Sequence, residues 1–356
     1  MNQNIFFNDS VNTTGLLPPD DPKRVVTLLS NATQAANANP TVSLLTGFLG
    51  FSLVASILLN GLIVFIYFKE HSLRSSFNAL IANLCTAEVL FAGTGMPGNF
   101  IRGLYGYFPY SATACSFFQY CINVFGSAVR YGHVLITLNR LWAVSYPVHY
   151  KRNQNMRLTC SIITLTWIFV NVLWLPVIIP GRMWANPHDK QCLVNTDFQP
   201  KTALAVEILG FTVTEIIVVV GSLLVSYRIH LRRKIKVELG LSSLSNKQDS
   251  LSLPKRDNGL SKSAAGDSGG SDTTQRRRTV SKQSSHNRVL AYLVVAVIVC
   301  WTPNHVYWLM VDTIDYWNNT FLAVQYFALY ANSWINPVLC LLALKDFRQA
   351  IRRLVN

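Results

Sequence analysis

Seven long apolar runs decide what this chain can become. They fall near 44–68, 77–101, 112–144, 158–180, 202–236, 286–311 and 320–344. Each reaches the roughly 20 residues a helix needs to cross a hydrocarbon core, whereas a barrel strand needs about 9–11. Helices satisfy their own backbone groups in lipid, so the expected fold is an all-α membrane protein, a seven-transmembrane helix bundle. The third and fifth runs exceed a bilayer thickness and are expected to tilt or project beyond it. Pro97, Pro176, Pro303 and Pro337 fall inside four of the runs, which membrane helices tolerate where neighbours re-satisfy the freed carbonyls. Only 13% of the chain is charged, against about 25% in soluble domains, so a soluble enzyme is a poor fit.

Charge sets the direction of the spans. The net charge of +14 would ordinarily raise nucleic acid as a partner, but the position of the cations argues for topology instead and against nucleic acid. Lys69, Arg74, Arg140, Lys151, Arg152, Arg157, a dense set from Arg228 to Arg288 and those after Leu344 all fall on one side. The positive-inside rule makes that side cytoplasmic, with the N-terminus outside and the C-terminus inside. Glycosylation sequons at Asn8, Asn12, Asn31 and Asn318 all lie on the expected outer side. No basic region or apolar stretch marks a signal peptide in the first residues, so the first span is expected to act as its own insertion signal. Cys115 and Cys192 both face the oxidising side, where a disulfide is expected; the other cysteines read as packing residues.

These features divide the chain into an extracellular glycosylated tail (1–43), transmembrane helices one to five (44–236), a third cytoplasmic loop (237–285), helices six and seven (286–344) and a C-terminal segment (345–356). The loop, rich in Ser, Lys, Asp and Gly, reads as disordered because it has too little apolar surface to bury. Its run Arg276-Arg277-Arg278-Thr279-Val280-Ser281 reads equally as a basophilic kinase target or a solvated charge cluster. The last segment is basic and amphipathic and is expected to lie along the inner leaflet as a short eighth helix.

Polar groups inside a bilayer are costly and mark function by default. Arg130, His133, Thr137 and Arg140 are spaced three, four and three, which sets them on one helical face. That face must look into the bundle or a wet cavity. Asn60, Glu88, Glu207, Glu215, Asn332, Ser333 and Asn336 are the available counterparts. Arg130 and Glu215 lie at similar depth and are expected to pair, as a structural ion pair or with a role in ligand binding. His133 near Glu88 would be a proton sensor if charged and a plain hydrogen-bonder if neutral. Neither makes a metal set, and no nucleophile motif stands out, so no cofactor or metal is expected. A transporter would show an internal repeat, and none is visible.

Several motifs at fixed spacing carry a resemblance. They are Asn60 in the first span, Asn83-Leu84-Cys85-Thr86-Ala87-Glu88 in the second and Cys115 lying 25 residues before Arg140. Trp167, Cys300-Trp301-Thr302-Pro303, Asn336-Pro337 and Lys345-Asp346-Phe347-Arg348 complete the set. The chain resembles the rhodopsin-like (class A) G-protein-coupled receptors across every span and the final helix. The resemblance implies a multi-pass plasma-membrane receptor in which an extracellular ligand biases a two-state bundle. It further implies that Trp301 pivots, Pro303 kinks the sixth helix, and a heterotrimeric G protein docks at Asn139, Arg140, Leu141 and Tyr227. Arrestin, receptor kinases and membrane lipid are further implied partners.

Four departures stand out. Asn139-Arg140-Leu141 replaces Asp-Arg-Tyr. Glu88 and Val129 replace the usual sodium ligands. Asn336-Pro337-Val338-Leu339-Cys340 ends in Cys where the family has Tyr, and Val219 replaces the proline of the fifth span. The altered switch motifs leave open a decoy that binds ligand without activating G proteins. No lysine occurs between 320 and 344, with Tyr330 at the retinal position, and Ile122-Asn123 replace the aminergic Asp; retinal and ordinary monoamines are therefore poor ligands. The expected pocket is Tyr120, Asn123, Gly126, Glu207, Phe211, Trp301, Asn304, His305, Trp308, Tyr326 and Tyr330. Asp189, Asp197, Asp312 and Asp315 in the outer loops would attract a basic peptide, so a peptide or small molecule is expected.

Overall fold

The computed structural model describes residues 40–105, 107–183, 192, 194, 199–249, 292, 294–311, 314, 316 and 318–355. Every regular element among them is helical. Six helices are long and apolar enough to cross a membrane: α1 (Leu44–Lys69), α2 (Ser76–Tyr105), α4 (Met156–Gly181), α5 (Pro200–Arg232), α6 (Val294–Val311) and α7 (Thr320–Ala343). Between α2 and α4 runs α3 (Ala112–Ser145), 34 residues long. Its polar side chains lower its hydropathy below that of the other six, and they are turned inward: Gln119, Ser127, Arg130, His133, Thr137, Asn139 and Arg140 are all buried. α3 packs against α2, α4 and α5, while α1 packs against α2 and α7. A last helix, α8 (Lys345–Val355), lies against α7 and α1.

Local sequence explains the helix starts. Ser75 and Ser111 accept hydrogen bonds from the backbone N–H of Asn78 and Ala114, and Asn318 accepts from that of Phe321 at 2.8 Å. Short polar side chains of this kind satisfy the open N–H groups at helix starts. Large apolar side chains are exposed along α1, α4, α5 and α6, among them Phe51, Leu58, Leu165, Val172, Leu223 and Val299. Such a surface suits lipid. α4 is pinned inward by its tryptophans: Trp167 donates to Asn83 Oδ1 at 2.9 Å and Trp174 to Ser127 Oγ at 2.7 Å.

Two helices are interrupted by π-helical turns, at Phe91–Gly95 in α2 and Ile208–Thr212 in α5. Each such turn rotates the remainder of its helix about the axis. α5 also continues as helix to Asp249, so the first part of the stretch read as a disordered loop is a helical extension. The sequence there keeps helix formers such as Leu, Lys and Glu. The rest of that loop, including the run 276–281, lies outside the described residues. So do Asn8, Asn12, Asn31, Asp189, Asp197, Asp312 and Asp315.

Candidate functional site

Helices α2, α3, α5, α6 and α7 enclose a cavity of about 260 Å³ near the disulfide end of the bundle. Cys115, in the first turn of α3, is bonded to Cys192, which sits at a positive φ of 53°. The Gln119 side chain donates to the Cys192 carbonyl, so the disulfide and this bond together hold an unfavourable backbone. Of the residues expected in the pocket, Asn123, Gly126, Glu207, Phe211, Trp301, Asn304, Trp308, Tyr326 and Tyr330 line the cavity.

Two expected residues face elsewhere. The Tyr120 hydroxyl donates to Asn171 Oδ1 at 2.5 Å, toward α4. His305 meets the Thr212 hydroxyl at 3.3 Å. In their place Asn99, Arg102, Phe118 and Gln119 enter the lining. Arg102 donates to Asn99, which donates to the Tyr330 hydroxyl, and Tyr330 stacks between Phe91 and Tyr326. The signal in the sequence was the pair of polar residues late in the second apolar run; the π-helical turn before them sets which way they point.

The floor of the cavity is an arginine on aromatics. The Arg130 guanidinium lies 3.9 Å from the Phe211 ring centre and 5.0 Å from that of Trp301, and it donates to Asn304 Oδ1 at 3.2 Å. Asn304 in turn donates to Gln325 Oε1 at 2.5 Å, which ties α3, α6 and α7 together. The expected Arg130–Glu215 pair is not formed. Glu215 accepts instead from the Thr302 hydroxyl at 2.6 Å, because the faces of α5 and α6 bring those two together and leave Arg130 over Phe211.

Below the floor a polar cluster crosses the bundle. His133 sits edge-on to Trp301, with ring centres 5.0 Å apart. The Asn336 amide lies between His133 Nε2 at 3.2 Å and Glu88 Oε1 at 3.4 Å, donating to Glu88. An amide thus separates the two groups that a direct proton-sensing pair would need in contact. Asn60 donates to the carbonyls of Ser56 and Ser333 at 2.9 and 2.8 Å, and Asn332 and Ser333 are both buried.

At the far end, Arg140 Nη2 donates to Asn139 Oδ1 at 2.8 Å and to the Tyr150 hydroxyl at 3.4 Å. The Tyr150 hydroxyl donates to the same Asn139 oxygen at 3.2 Å, and Arg140 lies 3.8 Å from the Phe77 ring centre. The acceptor at position 139 is a neutral amide, and both bonds meet on its one oxygen. Tyr150 comes from the short helix Pro147–Asn153. Leu141 packs against the core and Cys340 is buried within it, with Pro337 inside α7. Tyr227 is 62% exposed, so it does not join the Arg140 cluster.

Comparison with known proteins agrees with this geometry. The model of the 7 transmembrane receptor (rhodopsin family) matches residues 59–339. The 5-hydroxytryptamine receptor 1B of Cricetulus griseus is 22% identical, covering 92% of this chain and 90% of its own. The human 5-hydroxytryptamine receptor 1B is also 22% identical, over 89% and 87%. The allatostatin-A receptor of Bombyx mori is 24% identical, over 86% and 78%. With the disulfide at the head of α3, Trp301 under the cavity and Arg140 at the opposite end of the same helix, the chain belongs to the rhodopsin family of seven-transmembrane receptors.

Proposed function

We propose that this chain, a G-protein-coupled receptor and not an enzyme, binds an extracellular ligand in the cavity above Trp301 and passes the signal to a heterotrimeric G protein at Arg140. The disulfide end then faces the outside of the plasma membrane and the Arg140 end the cytoplasm, with the sequons on the outer side. The observation that carries the reading is the continuity of contacts from the cavity inward. Arg130 and His133 both touch Trp301, and His133 meets the Asn336 amide beside Pro337. A ligand that moves Trp301 must disturb this set, and coupling between cavity and inner cleft is then reciprocal.

The relatives are named for 5-hydroxytryptamine and allatostatin-A, two different ligands, and neither transfers directly. Ile122 and Asn123 line the cavity where the aminergic receptors carry Asp, which argues against an ordinary monoamine, and Tyr330 in place of the retinal lysine argues against a chromophore. A small molecule or a peptide end fits the lining. The amphipathic α8 is assigned to the inner leaflet, where its Arg352 meets acidic lipid while Arg353 lies 4.0 Å from Glu70 Oε2. Arrestin and receptor kinases would share the same inner face.

The test is basal G-protein activation across all Gα classes, with wild type and Arg140→Ala matched for surface expression. Loss of the wild-type signal in the variant supports coupling through Arg140. Signal that persists in the variant refutes the role given to Arg140. The altered motifs at Asn139 and Cys340 favour a second reading, a decoy without coupling. Background signal from wild type that stays at background when Asn139→Asp and Cys340→Tyr are combined supports that reading.

A further inference from the structure

We propose that the cavity takes a ligand bearing a carboxylate, seated on the guanidinium of Arg130. The inference rests on the reading of this cavity as the ligand site and adds the chemistry of what fills it. Arg130 is 6% exposed, lines the cavity and lies near the middle of a membrane-spanning helix, where an unpaired cation is costly. A guanidinium offers five N–H donors. Among the described residues the acceptor it reaches is the neutral Asn304 oxygen at 3.2 Å, and no carboxylate among them forms an ion pair with it.

Its other contacts are aromatic faces. The Phe211 and Trp301 rings lie 3.9 and 5.0 Å from the guanidinium carbon and take none of its N–H donors. Stacking of this kind fixes orientation and leaves the fork free to take a carboxylate in a bidentate manner. Glu207 and Glu215 lie within electrostatic range of Arg130 without bonding to it, and two of the acids near it have other hydrogen-bond partners. Glu215 is bonded by Thr302 and Glu88 by Asn336. Glu207 lines the cavity four residues before Phe211, on the other side of the start of the π-helical turn.

The rest of the lining fits an acid with an aromatic or aliphatic body. Phe118, Ile122, Trp308 and Tyr326 supply apolar walls, with Arg102 as a second cation. The volume of about 260 Å³ admits a small organic acid or the last residue of a peptide. These share one chemistry, a carboxylate on a compact apolar group. Because Arg130 also touches Trp301, an arriving carboxylate would draw the guanidinium from the ring and loosen α3 from α6.

The experiment is thermal melting of the purified full chain with matched probes. The probes are 3-phenylpropionate and indole-3-acetate, each with its primary amide, their amine counterparts 3-phenylpropylamine and tryptamine, and the dipeptide Gly-Phe with a free or amidated C-terminus. The acids are expected to raise the melting temperature in proportion to occupancy, and the amides and amines are not. Arg130→Met should weaken acid binding at least tenfold, and Arg130→Lys, which keeps the charge but loses the fork, several-fold. If Arg130→Met does not fold, Arg130→Lys and Arg130→Gln carry the test. Stabilisation by small acids alone identifies a small-molecule source, and by Gly-Phe alone a peptide C-terminus. The proposal is overturned if no acid outperforms its amide, if the amines stabilise instead, or if the acid effect is unchanged in every Arg130 variant that folds. Melting needs no G protein, so that failure leaves coupling through Arg140 intact, and a silent coupling assay leaves this result standing.

Discussion

Restoring the acid at position 139 is expected to quiet the receptor. In the structure Asn139 Oδ1 accepts from Arg140 at 2.8 Å and from Tyr150 at 3.2 Å, and all three groups must part if Arg140 is to receive a G protein. A hydrogen bond to a charged donor contributes about 1.5–3 kcal/mol when buried, and one between neutral groups about 0.5–1.5. The Arg140 donor is already charged; making the acceptor an aspartate also turns the Tyr150 bond from a neutral into a charge-assisted one, adding roughly 1.4 kcal/mol to the closed arrangement, which is about tenfold in the ratio of states. Basal G-protein activation of Asn139→Asp should therefore fall about tenfold at matched surface expression. Asn139→Ala removes the acceptor and should raise it by a similar factor, while Tyr150→Phe, which loses the longer bonds, should raise it two- to threefold. An Asn139→Asp receptor as active as wild type, or an Asn139→Ala receptor that is quieter, would refute the role of this amide as the restraint on Arg140.

Other outcomes follow from packing and covalent structure. Cys192→Ser opens a bond between residues 77 apart in sequence; loop-closure entropy alone is worth about 4.5 kcal/mol, so surface expression and melting temperature should both drop sharply. Gly98→Ala would place a methyl 2.2 Å from the Phe118 ring, whereas Gly93→Ala meets nothing within 4 Å. The first should lower stability by about 1–3 kcal/mol and the second should leave it nearly unchanged, read by melting of the purified receptors. Asn60→Ala strips the side-chain donor shared by the Ser56 and Ser333 carbonyls and should cost about 1–2 kcal/mol in the same measurement.

Part of the site was legible from residue spacing. The stripe Arg130–His133–Thr137–Arg140 depends only on the pitch of one helix, so its four members are buried together as their spacing requires. The pairing of Arg130 with Glu215 depended on the rotation of two helices about their own axes, and depth along the membrane says nothing of rotation. Tyr120 failed for the same reason, since it stands beside Gln119 on α3 but one position around, toward Asn171. Asn99 and Arg102 were missed because the turn Phe91–Gly95 departs from regular pitch, and no residue in it announces a π-helical turn.

The amino-acid sequence by itself determined the apolar segments, the charge asymmetry between their two sides and the motifs that identify the family. Each is a local property, set by hydropathy over a span or by residues a few turns apart. Tertiary structure alone decided that Arg130 rests on Phe211 and Trp301, that Asn336 separates Glu88 from His133, and that Tyr150 closes on Arg140 and Asn139. Those contacts join different helices, and lipid is equally apolar on all sides, so helix rotation is set by the fit and hydrogen bonding of facing side chains.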